Sequence, residues 1–320
     1  MGRGPDERHP WDRDEADRIL LYNPASGSAD HASEVHRRAR QRGYAVRETA
    51  GAGDARQIAR EVGADGASIL IVAGGDGTVN EAVHGLSDAD ALETVDLAVV
   101  PTGTANLFAR SLGIETIDRA FEVLDRGERR RIDVGVANGN PFVNTCLAGI
   151  PAEANTMTPG ELKRRLGVFA YVLTTIRHLP EYEGIPLEVR IDLDETNDRR
   201  STREWRGTAL LVLIGNAFRL PGIRHRDQPS AEDGLLEVTI VEEWPTFEFL
   251  DEGVLSAVLD GDVTPVTRLE TPSLSVRGLA DGVVTFSLDG ELYPATELDV
   301  GVRERCLSVY ATPPDRGLLQ

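Results

Sequence analysis

Short apolar runs alternate with amphipathic stretches through the first third of the chain. Apolar runs with the length of buried strands occupy residues 18–22, 45–49, 68–73 and 96–100. Stretches with helical spacing occupy residues 32–42, 54–62, a segment ending near 86, and 105–112. Strands that alternate with helices are typical of a doubly wound α/β domain, which we predict over residues 18–131.

The pattern changes after residue 131. Residues 132–138 and 141–147 predict a hairpin that turns at Asn138-Gly139-Asn140. Further strands are predicted at residues 187–194, 205–216, 235–241, 274–276 and 283–288, and helices at 161–178 and 247–259. We therefore predict a second, β-rich domain of antiparallel, sandwich-like sheet over residues 132–300. Residues 301–320 are expected to return to the first domain, and the polar residues 1–17 are expected to form a disordered tail.

Composition narrows the functional class. The 320 residues are 41% apolar and carry a net charge of −19. Such acidity disfavours nucleic-acid binding, which needs a basic stripe, and we interpret it as adaptation to a very salty, halophilic cytoplasm. No apolar run reaches about 18 residues and no signal-peptide core is present, so we expect a cytoplasmic protein. The distant cysteines, Cys146 and Cys306, are interpreted as buried free thiols.

The strongest chemical signal is the run Gly-Gly-Asp-Gly-Thr-Val-Asn-Glu at residues 74–81. It joins a buried strand to a helix at the sheet edge where open α/β folds bind ligands. Glycines let backbone N–H groups approach phosphate oxygens, and the helix amino end attracts the same anion. Asp76 could hold magnesium or its bound water, and Thr78 could donate to a phosphate. The alternative is a tight turn in which Asp76 caps the helix.

Two more loops follow neighbouring strands at the same edge. Residues 23–27 read Asn-Pro-Ala-Ser-Gly, and residues 101–106 read Pro-Thr-Gly-Thr-Ala-Asn. Each alone is an ordinary turn, since these residue types favour turns. Three such loops at one edge favour a cradle for a polyphosphate. The spacing is neither that of a Walker A loop nor that of a dinucleotide fingerprint.

These loops resemble the catalytic domain of the diacylglycerol kinase and sphingosine kinase superfamily, especially its soluble bacterial members. The resemblance extends over residues 18–310. Its later landmarks are Ile132-Asp133-Val134-Gly135, Gly215-Asn216, Asp-Gly-Leu-Leu at 233–236 and Leu-Asp-Gly-Glu at 288–291. NAD kinases and some phosphofructokinases share the Gly-Gly-Asp-Gly-Thr core, whereas Asn-Pro-x-Ser-Gly and the late Asp-Gly-Glu are more particular to lipid kinases.

The resemblance implies an ATP- and Mg²⁺-dependent lipid kinase with its active site between the two domains. It implies ATP contacts from Asn23, Pro24, Ala25, Ser26, Gly27, Thr49, Gly75, Asp76, Gly77, Thr78, Val79, Asn80, Glu81 and Thr104. It also implies a structural magnesium held by Asp233 with backbone carbonyls near Ser230 and Leu235. A plain turn at Asp233 is the alternative.

Glu291 matches the position of the proton acceptor in this family, and Asp76 is the second catalytic candidate. A carboxylate beside an acceptor hydroxyl can take its proton as phosphorus is attacked. The alternative for Glu291 is a solvated hairpin turn. The expected acceptor is a diacylglycerol-like lipid alcohol, which a soluble enzyme would collect through transient contact with a membrane surface. An apolar patch would serve that contact, and residues 166–176 are a candidate for part of it.

Two positions depart from the family pattern. Leu107 stands where an aspartate is common and removes one ligand for the magnesium-water network. Pro151 stands where an acidic residue is usual. Two other functions therefore stay open: a kinase for a soluble acceptor such as NAD, and a nucleotide-binding regulator whose catalysis has decayed. The sequence also leaves a homodimer open.

Overall fold

A computed structural model describes residues 17–27, 31–149, 184–193, 201–216, 231–242, 266–279 and 282–312. These residues form two compact units. The α/β unit holds the described residues up to Arg131 and those from Leu307 onward, and the β unit holds those from Ile132 to Cys306. In the described part of the chain, no helix is both long and apolar enough to cross a membrane.

The α/β unit alternates strands and helices as the apolar pattern predicts. Its elements are β1 Arg18–Tyr22, α1 Ala32–Gln41, β2 Ala45–Glu48, α2 Asp54–Ala64, β3 Ile69–Gly74, α3 Asp76–Asp88, β4 Asp96–Pro101, α4 Leu107–Ser111 and α5 Ile117–Arg126. The strands run parallel in the order β4-β3-β1-β2. Every residue of β3 is buried, as expected for a central strand covered on both faces. The predicted α/β class is confirmed.

The helix predicted over residues 105–112 begins only at Leu107. Asn106 adopts the left-handed conformation, with φ 50° and ψ 45°, which an asparagine tolerates and a helix does not. Helix α5 was not predicted, although its end signals are present. The Thr116 hydroxyl accepts a hydrogen bond from the Arg119 N–H at 3.1 Å, and Gly127 ends the helix in the left-handed region.

The β unit is built mainly from antiparallel strands, of which the first begins and the last ends in residues of the α/β unit. They are β5 Arg129–Ala137, β6 Asn140–Phe142, β7 Thr145–Ala148, β8 Ile185–Leu193, β9 Ser201–Gly215, β10 Leu236–Glu242, β11 Val266–Thr271, β12 Ser273–Gly278, β13 Val284–Leu288, β14 Glu291–Ala295 and β15 Glu297–Tyr310. The main order is β14-β13-β7-β9-β8-β12-β15, and β10 joins β9 to β11. Phe142 and Phe286 lie fully buried in its core. This confirms the β-rich class predicted for the second half.

The predicted hairpin over residues 132–147 is correct only in its first part. β6 pairs with β5 for three residues, but β7 leaves this pairing and lies between β9 and β13. The side chain that marks the break is Asp289, whose carboxylate accepts backbone N–H groups of Val143 at 2.7 Å, Asn144 at 2.9 Å and Thr145 at 2.8 Å. The strand therefore changes partners where a distant carboxylate satisfies its backbone.

Some expectations were wrong or lie beyond the described ranges. Strands β11, β14 and β15 were not predicted, because charged residues stand between their apolar residues and no continuous apolar run indicates a strand. The predicted helices at 161–178 and 247–259, the apolar candidate 166–176 and Pro151 lie outside the described residues. Cys146 and Cys306 are both buried thiols that are not joined in a disulfide, as predicted. Burial raises the pKa of the Cys146 thiol far above its ordinary value, so this thiol is unreactive.

Glu237 gives the β unit a predicted dependence on pH. It lies directly opposite Glu270 in the β10–β11 ladder. Burial raises the pKa of Glu237 to about 7, and the carboxylates of Glu270 and Asp233 add to this, while Arg268 opposes it. Because folding favours the protonated form, the contribution of this group to stability is full below pH 4.5 and is lost as pH rises toward about 7.

We expect Glu237→Gln to leave the unfolding temperature unchanged near pH 4.5 and to raise it by about 3 °C at pH 8. This corresponds to about 1 kcal/mol after allowance for partial exposure of the carboxyl. Thermal unfolding followed by circular dichroism across this pH range measures the difference. Glu297→Gln, which removes an exposed carboxylate from β15, is the control and should show no such trend. A parallel response of Glu237→Gln and wild type at every pH would contradict the prediction.

Candidate functional site

Three loops at the carboxyl edge of the α/β sheet contact one another. They follow β1, β3 and β4 and include residues 23–27, Gly75 and residues 102–106. The Asn23 side-chain amide donates to the Thr78 hydroxyl at 2.9 Å. The Thr102 hydroxyl donates to the Ser26 hydroxyl at 3.1 Å, and the Thr102 N–H donates to the Gly74 carbonyl at 3.2 Å. We call this group of loops the strand-end cluster.

Glycines make the close packing of the strand-end cluster feasible. Gly27 has a φ of +66°, and a Cβ atom there would collide with the Thr102 carbonyl oxygen. A Cβ on Gly103 would lie 2.5 Å from the Gly75 Cα. Gly77 differs, because a Cβ there would meet nothing within 4 Å. The loops are therefore packed backbone to backbone, and open space remains beside the first turn of α3.

Asp76 is the first residue of α3, and Gly75 occupies the N-cap position. The alternative in which Asp76 itself caps the helix is therefore not what the structure shows. Its Oδ1 accepts the Phe108 N–H at 3.0 Å, which ties the start of α3 to α4. Asn106 holds the preceding turn through reciprocal bonds of 2.9 Å with the N–H and carbonyl of Gly103. The carboxylate of Asp76 thus lies at the cluster, with one oxygen engaged by backbone.

The other residues implied for ATP contact differ in burial and in hydrogen-bond partners. Thr49 is buried, and its N–H donates to the Tyr22 carbonyl at 3.0 Å just beyond β2. The Glu81 carboxylate accepts the N–H groups of Gly53 at 3.0 Å and Ala55 at 3.2 Å, so it serves the amino end of α2. Pro24, Ala25 and Thr104 are exposed, whereas Val79 and Asn80 are buried in α3. The side chains of Glu81 and Val79 therefore support the fold around the cluster.

A groove of about 610 Å³ adjoins the loop after β1. Its lining includes Tyr22, Pro24, His36, Arg37, Arg40 and Glu48. The His36 Nε2 lies 3.2 Å from a Glu48 carboxylate oxygen, and the His36 ring meets the Tyr22 ring edge-on with centroids 5.1 Å apart. The sequence did not indicate this groove, because its walls come from an ordinary amphipathic helix and the edge strand β2.

Asp133 organises the second cluster, which lies in the β unit. It is fully buried, and its carboxylate accepts the Gly234 N–H at 2.8 Å and the Arg305 N–H at 2.7 Å. Its backbone N–H donates to the Ala231 carbonyl at 2.6 Å, and its carbonyl accepts from the Asn216 side chain at 2.8 Å. In the sequence, Asp133 stands out only as part of a family landmark, Ile132-Asp133-Val134-Gly135. The structure makes it the residue that joins three segments of the unit.

Asp233 and Leu235 lie in the turn that Asp133 holds. Asp233 Oδ1 accepts the Leu235 N–H at 3.0 Å. Partial burial of the carboxyl raises the pKa of Asp233, the hydrogen bond from the Leu235 N–H opposes this, and the nearby Asp133 carboxylate raises the pKa further. Ser230, the third residue implied for a magnesium, lies outside the described residues. Within the ranges that are described, no three His, Cys, Asp or Glu side chains converge as a metal site. A cation here would therefore need amide or backbone oxygens as well.

Glu291 begins β14, directly after the tight turn at Asp289 and Gly290. Both turn residues have positive φ, 48° and 101°. Glu291 pairs with Leu288 across the hairpin, and its side chain is exposed. In the sequence, Asp289 is evident only as part of the Leu-Asp-Gly-Glu motif at residues 288–291. Its three backbone hydrogen bonds to residues 143–145 anchor the turn from which Glu291 projects.

Comparison with known proteins identifies the family. A model of the diacylglycerol kinase catalytic domain matches residues 17–137, and a model of the YegS C-terminal NAD kinase beta sandwich-like domain matches residues 144–311. A diacylglycerol kinase of Bacillus subtilis (strain 168) is 34% identical over 239 residues, which are 72% of this chain and 75% of that protein. A protein of Pseudomonas aeruginosa (strain UCBPP-PA14) named "Probable lipid kinase YegS-like" is 34% identical over 76% of each chain.

The fold has a solved counterpart. A crystal structure of a diacylglycerol kinase from Bacillus anthracis superposes with a TM-score of 0.66 over 93% of this chain and 97% of that chain, at 22% identity. This likeness concerns the fold alone, whereas the family follows from the matched models and the relatives above 30% identity. The resemblance seen in the motifs is thereby confirmed. The chain belongs to the diacylglycerol kinase-like lipid kinases, which are phosphotransferases that act on an alcohol group.

Proposed function

We propose that this protein is an ATP- and Mg²⁺-dependent kinase that transfers the γ-phosphoryl group to the hydroxyl of a diacylglycerol-like lipid alcohol. The observation that carries the proposal is the strand-end cluster. Three loops that follow parallel strands are in hydrogen-bonded contact. They pack so closely that a side chain at Gly27 or Gly103 would collide with the neighbouring loop. Family membership supports the same chemistry, since the relatives are named as diacylglycerol and lipid kinases.

The phosphates would bind at the amino end of α3. Gly75 and Gly77 lie there without side chains that would cover their backbone N–H groups, and open space remains beside Gly77. The thirteen-residue helix also places the positive end of its dipole at this point. Ser26 and Thr78 supply hydroxyls at the same place. The groove beside Pro24 has a volume suited to a small ligand, and we propose that it receives the nucleoside end of ATP.

The residues present fit magnesium at the phosphates. Asp76 uses one carboxylate oxygen for the Phe108 N–H, and a carboxylate has further acceptor capacity for a metal or its bound water. Magnesium, when bound, would neutralise charge that develops on the transferred phosphoryl group. We further propose a second, structural cation at the Asp233 turn, where the Asp233 carboxylate and the Leu235 carbonyl are oxygen donors of the type that Mg²⁺ and Ca²⁺ prefer.

Glu291 is the proposed proton acceptor. In the transfer step, the acceptor oxygen forms a bond to the γ-phosphorus, and the bond from that phosphorus to the bridging oxygen breaks, so ADP departs with the electron pair. The hydroxyl proton passes to the Glu291 carboxylate. Its exposure at the start of β14 leaves it accessible to an incoming hydroxyl, and Asp289 fixes the backbone on which it stands.

An acceptor screen tests the proposal. Purified protein is incubated with γ-³²P-ATP and Mg²⁺ at high salt, with dispersed membrane lipids or with NAD as acceptor, and products are separated by chromatography. We expect label in lipid only, and none when Mg²⁺ is chelated. Labelled NADP without labelled lipid would replace the proposal with a kinase for a soluble acceptor. ATP binding without any labelled product would favour a regulator, in line with the substitution at Leu107.

Gly103→Ala tests whether the strand-end cluster binds the nucleotide. The added methyl group would lie 2.5 Å from the Gly75 Cα and 2.8 Å from the Asn106 Oδ1, so two loops must separate. We expect the dissociation constant for ATP, measured by calorimetry, to rise by at least about tenfold, because a displaced backbone loses its phosphate contacts. Gly301→Ala is the control, since its new Cβ would have no neighbour closer than 3.8 Å. Unchanged ATP affinity in Gly103→Ala would place the nucleotide elsewhere.

A further inference from the structure

Asn216, the residue after β9, has a buried oxygen that nothing described so far uses. The side chain is only 3% exposed. Its Nδ2 donates to the Asp133 carbonyl at 2.8 Å, and its backbone N–H donates to the Asn144 carbonyl at 3.0 Å. Its Oδ1 is buried and has no hydrogen-bond partner among the described residues. A buried polar atom without a partner costs about 1–3 kcal/mol, so this oxygen calls for a ligand.

The hydrogen bonds of Asp133 connect Asn216 to the turn at residues 231–235. The Asp133 carbonyl accepts a hydrogen bond from the Asn216 side-chain amide. Asp133 also accepts the Gly234 N–H through its carboxylate and donates its own N–H to the Ala231 carbonyl. Both carboxylate oxygens of Asp133 are therefore engaged by backbone N–H groups, of Gly234 and Arg305. The polar oxygens of this region that remain for a ligand include the Asn216 Oδ1 and the carboxylate of Asp233.

An amide oxygen and a carboxylate are hard donors, which suit Mg²⁺ or Ca²⁺. We propose that Asn216 Oδ1 is a ligand of the cation at the Asp233 turn, directly or through one bound water. The inference rests on the structural cation of the proposed function. It assigns the cation a role in joining the end of β9 to residues 231–235, since Asn216 and Asp233 come from these two segments.

Cation-dependent thermal unfolding of the full-length protein tests the inference. Metal is removed with EDTA, the ionic strength is fixed with NaCl, and MgCl₂ or CaCl₂ is titrated. Wild type should show an unfolding temperature that begins to rise as the cation reaches its dissociation constant and then increases with the logarithm of the cation concentration. Asn216→Leu should need at least about tenfold more cation than wild type for the same rise in unfolding temperature. Asn216→Asp should unfold at a lower temperature in EDTA, because it adds a second buried carboxylate beside that of Asp133, and should respond to cation at an equal or lower concentration than wild type.

Asn138→Ala is the matched control. Asn138 also joins two segments through its amide, with Oδ1 accepting the Asp299 N–H at 2.9 Å and Nδ2 donating to the Glu297 carbonyl at 3.0 Å. Its loss should lower the unfolding temperature equally with and without cation. Asn216→Ser takes the place of Asn216→Leu if the latter does not fold, and terbium luminescence then reports the cation affinity directly.

The outcomes distinguish a failure of Asn216 as a ligand from a failure of the structural cation itself. If wild type responds to cation and the Asn216 variants respond at the wild-type concentration, Asn216 has a structural role alone and the inference fails. If wild type itself shows no response to either cation, the structural cation fails together with the inference, while phosphoryl transfer is tested independently by the acceptor screen.

Discussion

Glu291→Gln should lose phosphoryl transfer by a factor of about a thousand while binding ATP as wild type does. A positioned general base contributes roughly 10²–10⁴-fold to a proton transfer, and glutamine keeps the size of the side chain but cannot accept the proton. Because the Glu291 side chain is exposed and glutamine keeps its size, the variant should unfold at the wild-type temperature. Turnover is measured with γ-³²P-ATP under saturating lipid, and ATP affinity by calorimetry.

Glu297→Gln is the control for Glu291→Gln. It removes an exposed carboxylate six residues further along the chain, at the start of β15, and should retain full activity. Turnover of Glu291→Gln within about fivefold of wild type would show that another group, or water, takes the proton. A loss of ATP affinity equal to the loss of turnover would instead mean that Glu291 acts in binding, and the assignment as proton acceptor would be wrong.

Asp133→Asn should destabilise the protein by about 3 kcal/mol, which lowers the unfolding temperature by about 8 °C. The two carboxylate oxygens accept N–H groups of Gly234 and Arg305 in a fully buried place. An asparagine has one acceptor oxygen, so its NH₂ group must face one of these donors and leave a buried N–H without a partner. Thermal unfolding by calorimetry measures the change.

Asp299→Asn is the matched control for Asp133→Asn. Asp299 is an exposed aspartate of β15, and its conversion should change the unfolding temperature by no more than about 1 °C, as surface substitutions do. A similarly small change in Asp133→Asn would show that the region around Asp133 adjusts to the amide. In that case the turn at residues 231–235 would not depend on the buried charge.

Local pattern was sufficient to find most of the α/β unit. β3 is apolar throughout, and α3 directly follows the glycine pair at residues 74–75, so both elements are evident from neighbouring residues alone. The three loops could be assigned to one sheet edge for the same reason, because parallel strands place their carboxyl ends together. Helix α4 begins two residues later than predicted, because Asn106 adopts the left-handed conformation. The second arm of the predicted hairpin is interrupted where the Asp289 carboxylate accepts backbone N–H groups. Neither effect is visible in the spacing of apolar residues.

The roles of individual polar side chains depended on distant partners. Glu81 belongs to the strongest motif of the chain, yet its carboxylate serves the amino end of α2, 26 and 28 residues away in sequence. In the sequence, Asp133 and Asn216 are only family landmarks. The structure shows that they are hydrogen-bonded to each other although 83 residues separate them along the chain. A motif specifies residue types at a spacing, whereas a hydrogen bond requires two atoms within about 3 Å, which only folding decides.

The sequence by itself determined the fold class, the three Gly-, Ser- and Thr-containing loops at one sheet edge and the kinase family, because strand burial, turn chemistry and motif spacing are properties of contiguous residues. The tertiary structure alone decided that Gly27 and Gly103 allow those loops to touch and that Asp289 anchors the turn before Glu291. It also decided that Asn216 carries a buried oxygen with no partner among the described residues. Each of these facts depends on the distance between segments remote in sequence, and such distances follow from packing of the whole unit.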